Sequence, residues 1–341
     1  MFGFLTIVWI YRKDVAMHIS KMFGLEIRGH RDIDFVDIDE KNDVGLYIDP
    51  MLVGAVNDEF GIKAWKCILT FFDEVARACR ENNQVRLYQL LSHAEEPNET
   101  NLGMKQKSDY GKGSNGEKLK EILLKFYANC EYVVDGKSLL VNQSLLMKHF
   151  DKDKMSDLIT NIIRKCLYEY TIKQQFKHKI NVESLSGKSQ FLGYYWDPEE
   201  LNWEKLYGYP LRISDKKTVM LVPKNIVRRK YLLDVEKFIS KFIFDELQAK
   251  HISEKSDLCT VYEDKKGNKK IKPPTKEILR KKELTDKNHK EYAERYIANN
   301  PESQKRFFDD VLRSLNVEKY ILSDSKLDSI VYKQEKDNRS A

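Results

Sequence analysis

A chain of 341 residues, 41% of them hydrophobic, buries a substantial core in one large domain or two to three ordinary ones, which excludes a disordered tail. Charged residues make up 33%, and 59 Lys and Arg against 53 Asp and Glu leave a formal charge of +6, an excess that permits a nucleic-acid partner without requiring one and that an AT-rich genome's bias toward Lys explains equally. The five cysteines, Cys67, Cys79, Cys130, Cys166 and Cys259, are scattered with no C-x-x-C pair, so they read as reduced thiols and exclude both a disulfide framework and a zinc site.

The apolar start Met1–Tyr11 is too short to span a bilayer, and Arg12 and Lys13 follow it where a signal peptide would carry its basic residues first. The chain therefore reads as cytoplasmic, with no membrane partner. Met17 and Met22 offer later starts, so residues 1–23 read as a start-site extension whose omission leaves the fold intact.

Residues 24–50 read as strands and turns: Leu25–Ile27, Ile33–Ile38 and Gly45–Pro50. Asp32, Asp34, Asp37, Asp39, Asp43 and Asp49 are dense for strand-forming sequence, where aspartate is depleted. A period of two divides them between faces, which suits a solvated edge that discourages sheet pairing; a cation site is the alternative. From Asp58 to Arg80 the spacing of Phe60, Trp65, Ile68, Leu69, Phe72, Val75, Ala76 and Cys79 predicts a helix with one buried stripe, followed by a second helix over 84–93. Arg86 and His93 enclose six residues, a spacing similar to that of HEPN ribonucleases, in which such a pair polarises a 2′-hydroxyl and the scissile phosphate without metal. Leu87 replaces the polar residue usual after that arginine.

A polar loop then runs to Gly116. Gly111–Gly116 spells G-x-G-x-x-G ahead of a predicted helix (Glu117–Asn129) and strand (Tyr132–Val134), but Lys105–Tyr110 is too polar to be the buried strand that a dinucleotide site needs. The glycines read as turn formers, with Lys112 left as a phosphate contact. A short strand, Ser138–Val141, and a helix from Ser144 lead to Asp151–Asp157, which packs three carboxylates and two lysines into seven positions. A Mg²⁺-dependent nuclease needs acidic oxygens converging on a hard cation, and Asp153 and Asp157 are the candidate ligands. The same residues also suit a helix start. Ser156 or Asp157 is a fitting N-cap for a long helix to about His178, whose apolar positions include Leu158, Ile159, Ile162, Ile163, Cys166 and Leu167.

The aromatic stretches Gln190–Pro198 and Leu201–Trp203 read as core, with base stacking as the functional alternative. Strands over Leu211–Ile213 and Val219–Val222 follow. Lys224 at the end of the second strand resembles the water-activating lysine of PD-(D/E)xK nucleases, although Val222 stands where that signature has an acid. Arg228, Arg229 and Lys230 add positive charge for phosphate binding. A helix over 234–248, a hairpin around Asp257–Glu263 and Lys266–Asn268, and a charged helical region over 276–318 with the run Arg280–Lys282 complete the chain, and the polar tail after Ser323 reads as frayed. The predicted fold is α+β, mixed helices and short sheets with a helix-rich C-terminal region. Residues 24–230 form an α/β core, 231–322 a basic helical region and 323–341 a tail.

Four blocks, Leu46–Pro50, Pro97–Gly103, Ser156–Arg164 and Val219–Lys224, resemble signature blocks of a poorly characterised bacterial family encoded among restriction and phage-defence genes. In size and texture the chain is also similar to an accessory subunit of a multi-component type II restriction system. The resemblance covers most of residues 24–320 and implies DNA and other restriction or defence subunits as partners; it assigns no catalytic residue. Two functional expectations follow. One is Mg²⁺-dependent endonucleolytic cleavage of foreign DNA, as by a type II site-specific deoxyribonuclease, with Asp153 and Asp157 on the metal and Lys224 near the phosphate. The other is a non-catalytic subunit that binds DNA or a partner through its basic and aromatic segments.

Overall fold

The computed structural model describes residues 17–93, 97, 99–103, 124, 135–146, 152–180, 189–214, 217–284, 288–300, 302–314 and 317–332. A short helix α1 (Ile19–Met22) and a 3-10 turn (His30–Asp32) lead through extended backbone to strand β1 (Tyr47–Ile48). Asp49 caps α2 (Pro50–Ala55), its carboxylate accepting the Met51 N–H at 2.9 Å, with Pro50 in the first turn, where no N–H is needed. Asp58 caps α3 (Glu59–Arg80) in the same way, accepting from Gly61 at 2.7 Å. Glu59 in its first turn and Arg77 and Arg80 in its last oppose the helix dipole.

Helix α3 is the spine of the core. Its stripe Ala64, Ile68, Phe71, Phe72 and Val75 is fully buried, each large side chain contributing about 1.5–3 kcal/mol. Around it pack α4 (Gln84–Leu90), α5 (Gly136–Leu146), α6 (Lys152–Ile162) and α7 (Arg164–Lys177). The antiparallel hairpin of β2 (Gln190–Asp197) and β3 (Asn202–Gly208) crosses α3 and α7. Its two tryptophans are core, Trp196 and Trp203 meeting Phe71 edge-on at 5.2 and 5.6 Å, whereas Phe191 of the same stretch is exposed and Tyr194 and Tyr195 are partly buried. Their indole N–H groups donate to Thr70 Oγ1 at 3.0 Å and the Leu90 carbonyl at 2.8 Å.

Strands β4 (Leu211–Ser214) and β5 (Lys217–Val219) form a second hairpin. Strand β6 (Val227–Arg228) returns to β1 with Tyr47 opposite Arg228. Then come α8 (Val235–Lys237), a π-helical turn (Phe238–Ile243) and α9 (Phe244–Glu254), followed by the hairpin of β7 (Thr260–Glu263) and β8 (Lys269–Lys272). Helices α10 (Lys276–Glu283), α11 (His289–Asn299), α12 (Ser303–Ser314), α13 (Val317–Tyr320) and α14 (Asp324–Val331) finish the described chain. The class is α+β with a helix-rich C-terminal region, and every sheet among the described residues is two-stranded and antiparallel. No helix among them is long and apolar enough to cross a membrane.

Helices α11 and α12 pack back on α5, and α14 reaches the 3-10 turn near the start. There a buried polar clasp forms. His30 Nδ1 donates to Asp328 Oδ1 at 2.7 Å while its Nε2 accepts the Asp37 N–H at 3.1 Å, which fixes the neutral Nδ1–H tautomer. The Asp37 carboxylate accepts from the Ser20 N–H and hydroxyl at 2.8 and 2.6 Å and from the Tyr332 hydroxyl at 2.9 Å.

Several expectations change on this fold. Asp37 and Asp49 are fully buried and Asp39 nearly so, so these three are no solvated edge, although Asp34 stays exposed: their carboxylates satisfy backbone N–H groups that strand pairing leaves open. Residues 136–146 are helical throughout, because Asp135 Oδ1 accepts the Ser138 N–H at 2.7 Å and starts the turn there. The helix expected to start at Ser156 begins at Lys152 and breaks at Ile163 into α6 and α7. Ser156 therefore lies inside a helix, and its hydroxyl accepts the Ile48 N–H at 3.0 Å. Met220–Val222 make no ladder; their backbone meets Glu99, Thr171 and Val36 instead. Ile19 and Ser20, within the suspected start-site extension, are buried parts of the structure, and residues 324–331 of the suspected tail form a helix that buries Leu327 and Val331.

Candidate nucleic-acid interface

The acidic candidates and the lysine candidate face different neighbours. Asp153 and Asp157 stand one turn apart on α6 and, with Asp49, surround the buried Tyr231 phenol. Burial first, then these carboxylates, push that phenol's pKa well above its usual value, so it stays neutral. Asp153 also fills the space beside Gly103, where a Cβ would come within 2.5 Å of its Oδ1. Lys224 lies in a 3-10 turn and sends its ammonium to Asp324 Oδ1 at 2.7 Å and the His30 carbonyl at 2.6 Å. No bond links it to Asp153 or Asp157 among the described residues. Nor, among those residues, does any group of three or more His, Cys, Asp or Glu side chains have the arrangement to hold a metal ion. The donor set the sequence suggested for Mg²⁺ thus supplies a carboxylate pair that Lys224 does not join.

The HEPN-like pair takes up other partners. The Arg86 guanidinium donates to the Leu201 carbonyl and pairs with Glu74 at 3.4 Å, while His93 stacks on Tyr194 with ring centres 3.7 Å apart. Both side chains brace the β2–β3 hairpin. Lys112 lies outside the described residues.

Positive charge gathers where β6 ends. Arg229 and Lys230 are exposed, and Tyr231–Leu233 then turn inward, the Leu232 N–H donating to Asp49 Oδ2 at 2.8 Å. Burial pushes the Asp49 carboxyl up to about 6 against the opposing pull of the Leu232 and Met51 N–H groups and of the Arg228 and Lys237 charges. Arg228 lays its guanidinium over the Tyr320 ring, 5.4 Å from the centroid, and its Nη1 is buried with no hydrogen-bond partner among the described residues. Beside it opens a cavity of about 590 Å³ lined by Leu232, Lys237, Lys241, Phe242, Phe307, Asp310, Val311, Arg313 and Tyr320. Arg313 pairs with Asp310, whereas Lys237 and Lys241 have no ion-pair partner among the described residues. Burial and then the Arg228 charge hold the Lys237 pKa below its usual value.

A second basic feature projects from the C-terminal region. The β7–β8 hairpin is exposed on nearly all sides, with Val261 at 63% and Tyr262 at 46%. Asp264 builds its turn by accepting the Lys266 and Asn268 N–H groups at 2.9 and 3.0 Å, which holds that carboxyl below the usual range, and it pairs with Lys270 at 3.1 Å. Lys265, Lys266, Lys269 and Lys272 are exposed with no ion-pair partner among the described residues. Sequence reading found the hairpin and Arg228–Lys230 but missed Lys237 and Lys241. The available signal was Phe242-Ile243-Phe244, three consecutive buried apolar residues that a regular helical stripe does not contain.

Fold and site together define an α+β protein that presents a cationic, aromatic-walled cavity and a lysine-bearing hairpin. The chain belongs to the family of a domain of unknown function, DUF8370, which matches residues 24–234. No curated protein and no solved structure matches it.

Proposed function

We propose that the protein binds duplex DNA and supports its cleavage by partner subunits in a bacterial restriction or phage-defence system, rather than cutting DNA itself. The observation that carries this reading is the β7–β8 hairpin, four of whose exposed ammoniums form no ion pair among the described residues, although Glu263 stands opposite Lys269. A two-stranded ribbon fits the major groove, and unpaired lysines exchange condensed counterions for phosphates. An isolated hairpin with exposed Val261 and Tyr262 gains little from its own chain, so contact with a partner offsets the cost of ordering it. The restriction context is drawn from the four sequence blocks. They interlock in the fold through the Ile48–Ser156, Glu99–Met220 and Glu99–Arg164 bonds, which supports a shared structural role for them.

Fluorescence anisotropy with a labelled duplex between 50 and 200 mM salt tests the reading. Each phosphate contact contributes a slope of roughly −0.9 in log K against log salt, so replacing Lys265, Lys266, Lys269 and Lys272 by alanine should flatten the slope by up to about 3.6 and weaken binding at least about tenfold. Unchanged affinity and slope would overturn it. A second reading, Mg²⁺-dependent cleavage by this chain, draws on the Asp153 and Asp157 pair beside Asp49. It requires cutting by the purified protein with Mg²⁺ that is lost on Asp157→Ala while the melting temperature holds.

A further inference from the structure

The cavity combines features that a packed core avoids. Two ammoniums, Lys237 and Lys241, line it with no ion-pair partner among the described residues, Lys237 feeling the Asp234 and Asp49 charges without pairing with either, and the guanidinium of Arg228 behind Tyr320 keeps a buried N–H unsatisfied. Like charges brought together in a half-buried site cost stability unless an anion joins them. Here the one lining carboxylate, Asp310, is engaged by Arg313. The walls carry aromatic rings: Phe242 meets Phe307 at 5.7 Å while stacking on Phe238 with the Arg306 guanidinium over it, and Tyr320 lies under Arg228. A volume of about 590 Å³ falls within the range that holds a small organic ligand.

The backbone is shaped for the same end. Lys241 and Phe242 sit on the π-helical turn Phe238–Ile243, and Lys237 is the residue just before it. Lys241 and Phe242 on this turn both line the cavity, and such turns recur at functional sites.

We propose that this cavity binds a phosphorylated ligand with a planar aromatic ring, of the size of a mononucleotide, its phosphate on Lys237 and Lys241 with Arg228 behind, its ring against Phe242, Phe307 and Tyr320. The shared chemistry has two sources, a free nucleotide or the 5′-phosphorylated end of a nucleic-acid strand. This site is independent of the hairpin, so either can fail alone.

The test is isothermal titration of the full chain with the four common nucleoside 5′-monophosphates, adenosine, inorganic phosphate, and a tetranucleotide with and without a 5′-phosphate. At least one nucleotide or the 5′-phosphorylated strand binds, while adenosine and phosphate bind at least about tenfold more weakly, since each supplies half the contacts. Binding by free nucleotides identifies a small-molecule site; binding by the phosphorylated strand alone identifies a strand-end site. Replacing Lys237 and Lys241 together by alanine weakens that binding about 10- to 100-fold, as loss of charge-assisted bonds requires, and the hairpin variant retains it. Because Lys241 is exposed and Lys237 only half-buried, the double variant tolerates the change, and its melting temperature is checked. No binding by any phosphorylated probe, or equal binding by the double variant, overturns the proposal.

Discussion

The Lys224 ammonium lies 2.7 Å from the Asp324 carboxylate, which joins a lysine next to the β1–β6 pair to the first turn of α14. The residue singled out as a water activator is thus a tether between segments a hundred positions apart.

For that reason Lys224→Ala should lower stability by about 1 kcal/mol in urea denaturation. Asp324 is more than a third exposed, so solvent screening limits the pair to the lower range, and the bond to the His30 carbonyl supplies the rest. A double-mutant cycle with Asp324→Ala should return a coupling of roughly 0.5–1 kcal/mol. A cycle that closes to zero would mean that the pair does not act as a tether.

His30→Ala should cost about 3 kcal/mol, because it opens a void and leaves both the buried Asp37 N–H and the Asp328 carboxylate short of a partner. Amide exchange read by NMR should show the Asp37 N–H losing protection ahead of the α3 amides. Protection equal to wild type would remove the clasp from the account of stability.

Asp49 makes stability depend on pH in a defined direction. Its folded pKa of about 6 exceeds the ordinary 3.8, so its contribution is complete below 3.8 and is lost as pH rises through 6. The two-unit difference corresponds to about 3 kcal/mol. Asp49→Asn cannot titrate and offers one acceptor where Met51 and Leu232 need two. The stability advantage of wild type over this variant should therefore shrink from pH 4 to pH 7. An advantage that grows over the same interval would contradict the burial argument.

Gly193 sits at φ +102 in a bulge of β2, where a Cβ would come within 2.9 Å of the buried Arg164 guanidinium. That guanidinium bonds Glu99 at 2.7 Å and the Leu192 carbonyl at 3.1 Å. Gly193→Ala should cost about 2–4 kcal/mol through backbone strain and displacement of a paired charge, measured as a fall in midpoint of thermal unfolding. A fall within that of an exposed control, such as Gly267→Ala, would show that the bulge relaxes freely.

Local rules carried much of this fold. Asp58 before an apolar stripe gave α3, and the β2–β3 tryptophans were legible as core because polar N–H groups on large rings need nearby acceptors. What escaped was set at long range. Asp37, Asp39 and Asp49 look like surface residues until the N–H groups they satisfy are known, and Ser156 looks like a cap until Ile48 arrives from 108 positions away. Positive charge was visible at Arg228–Lys230, but the partners of the cavity come from α12 and α13, whose docking no spacing rule encodes. The π-helical turn adds a residue to a helical turn, and an averaged period conceals such a change.

The histidine and aspartate of the clasp are 298 positions apart, so nearly the whole described chain is the loop that their contact closes. Loop entropy defers such a contact until the intervening helices are formed. In the native ensemble the seam is held by the clasp, the Lys224–Asp324 pair and the burial of Leu327 and Val331, so α14 can peel away while the α3 core stays intact. The last step of folding and the first step of breathing are then one event.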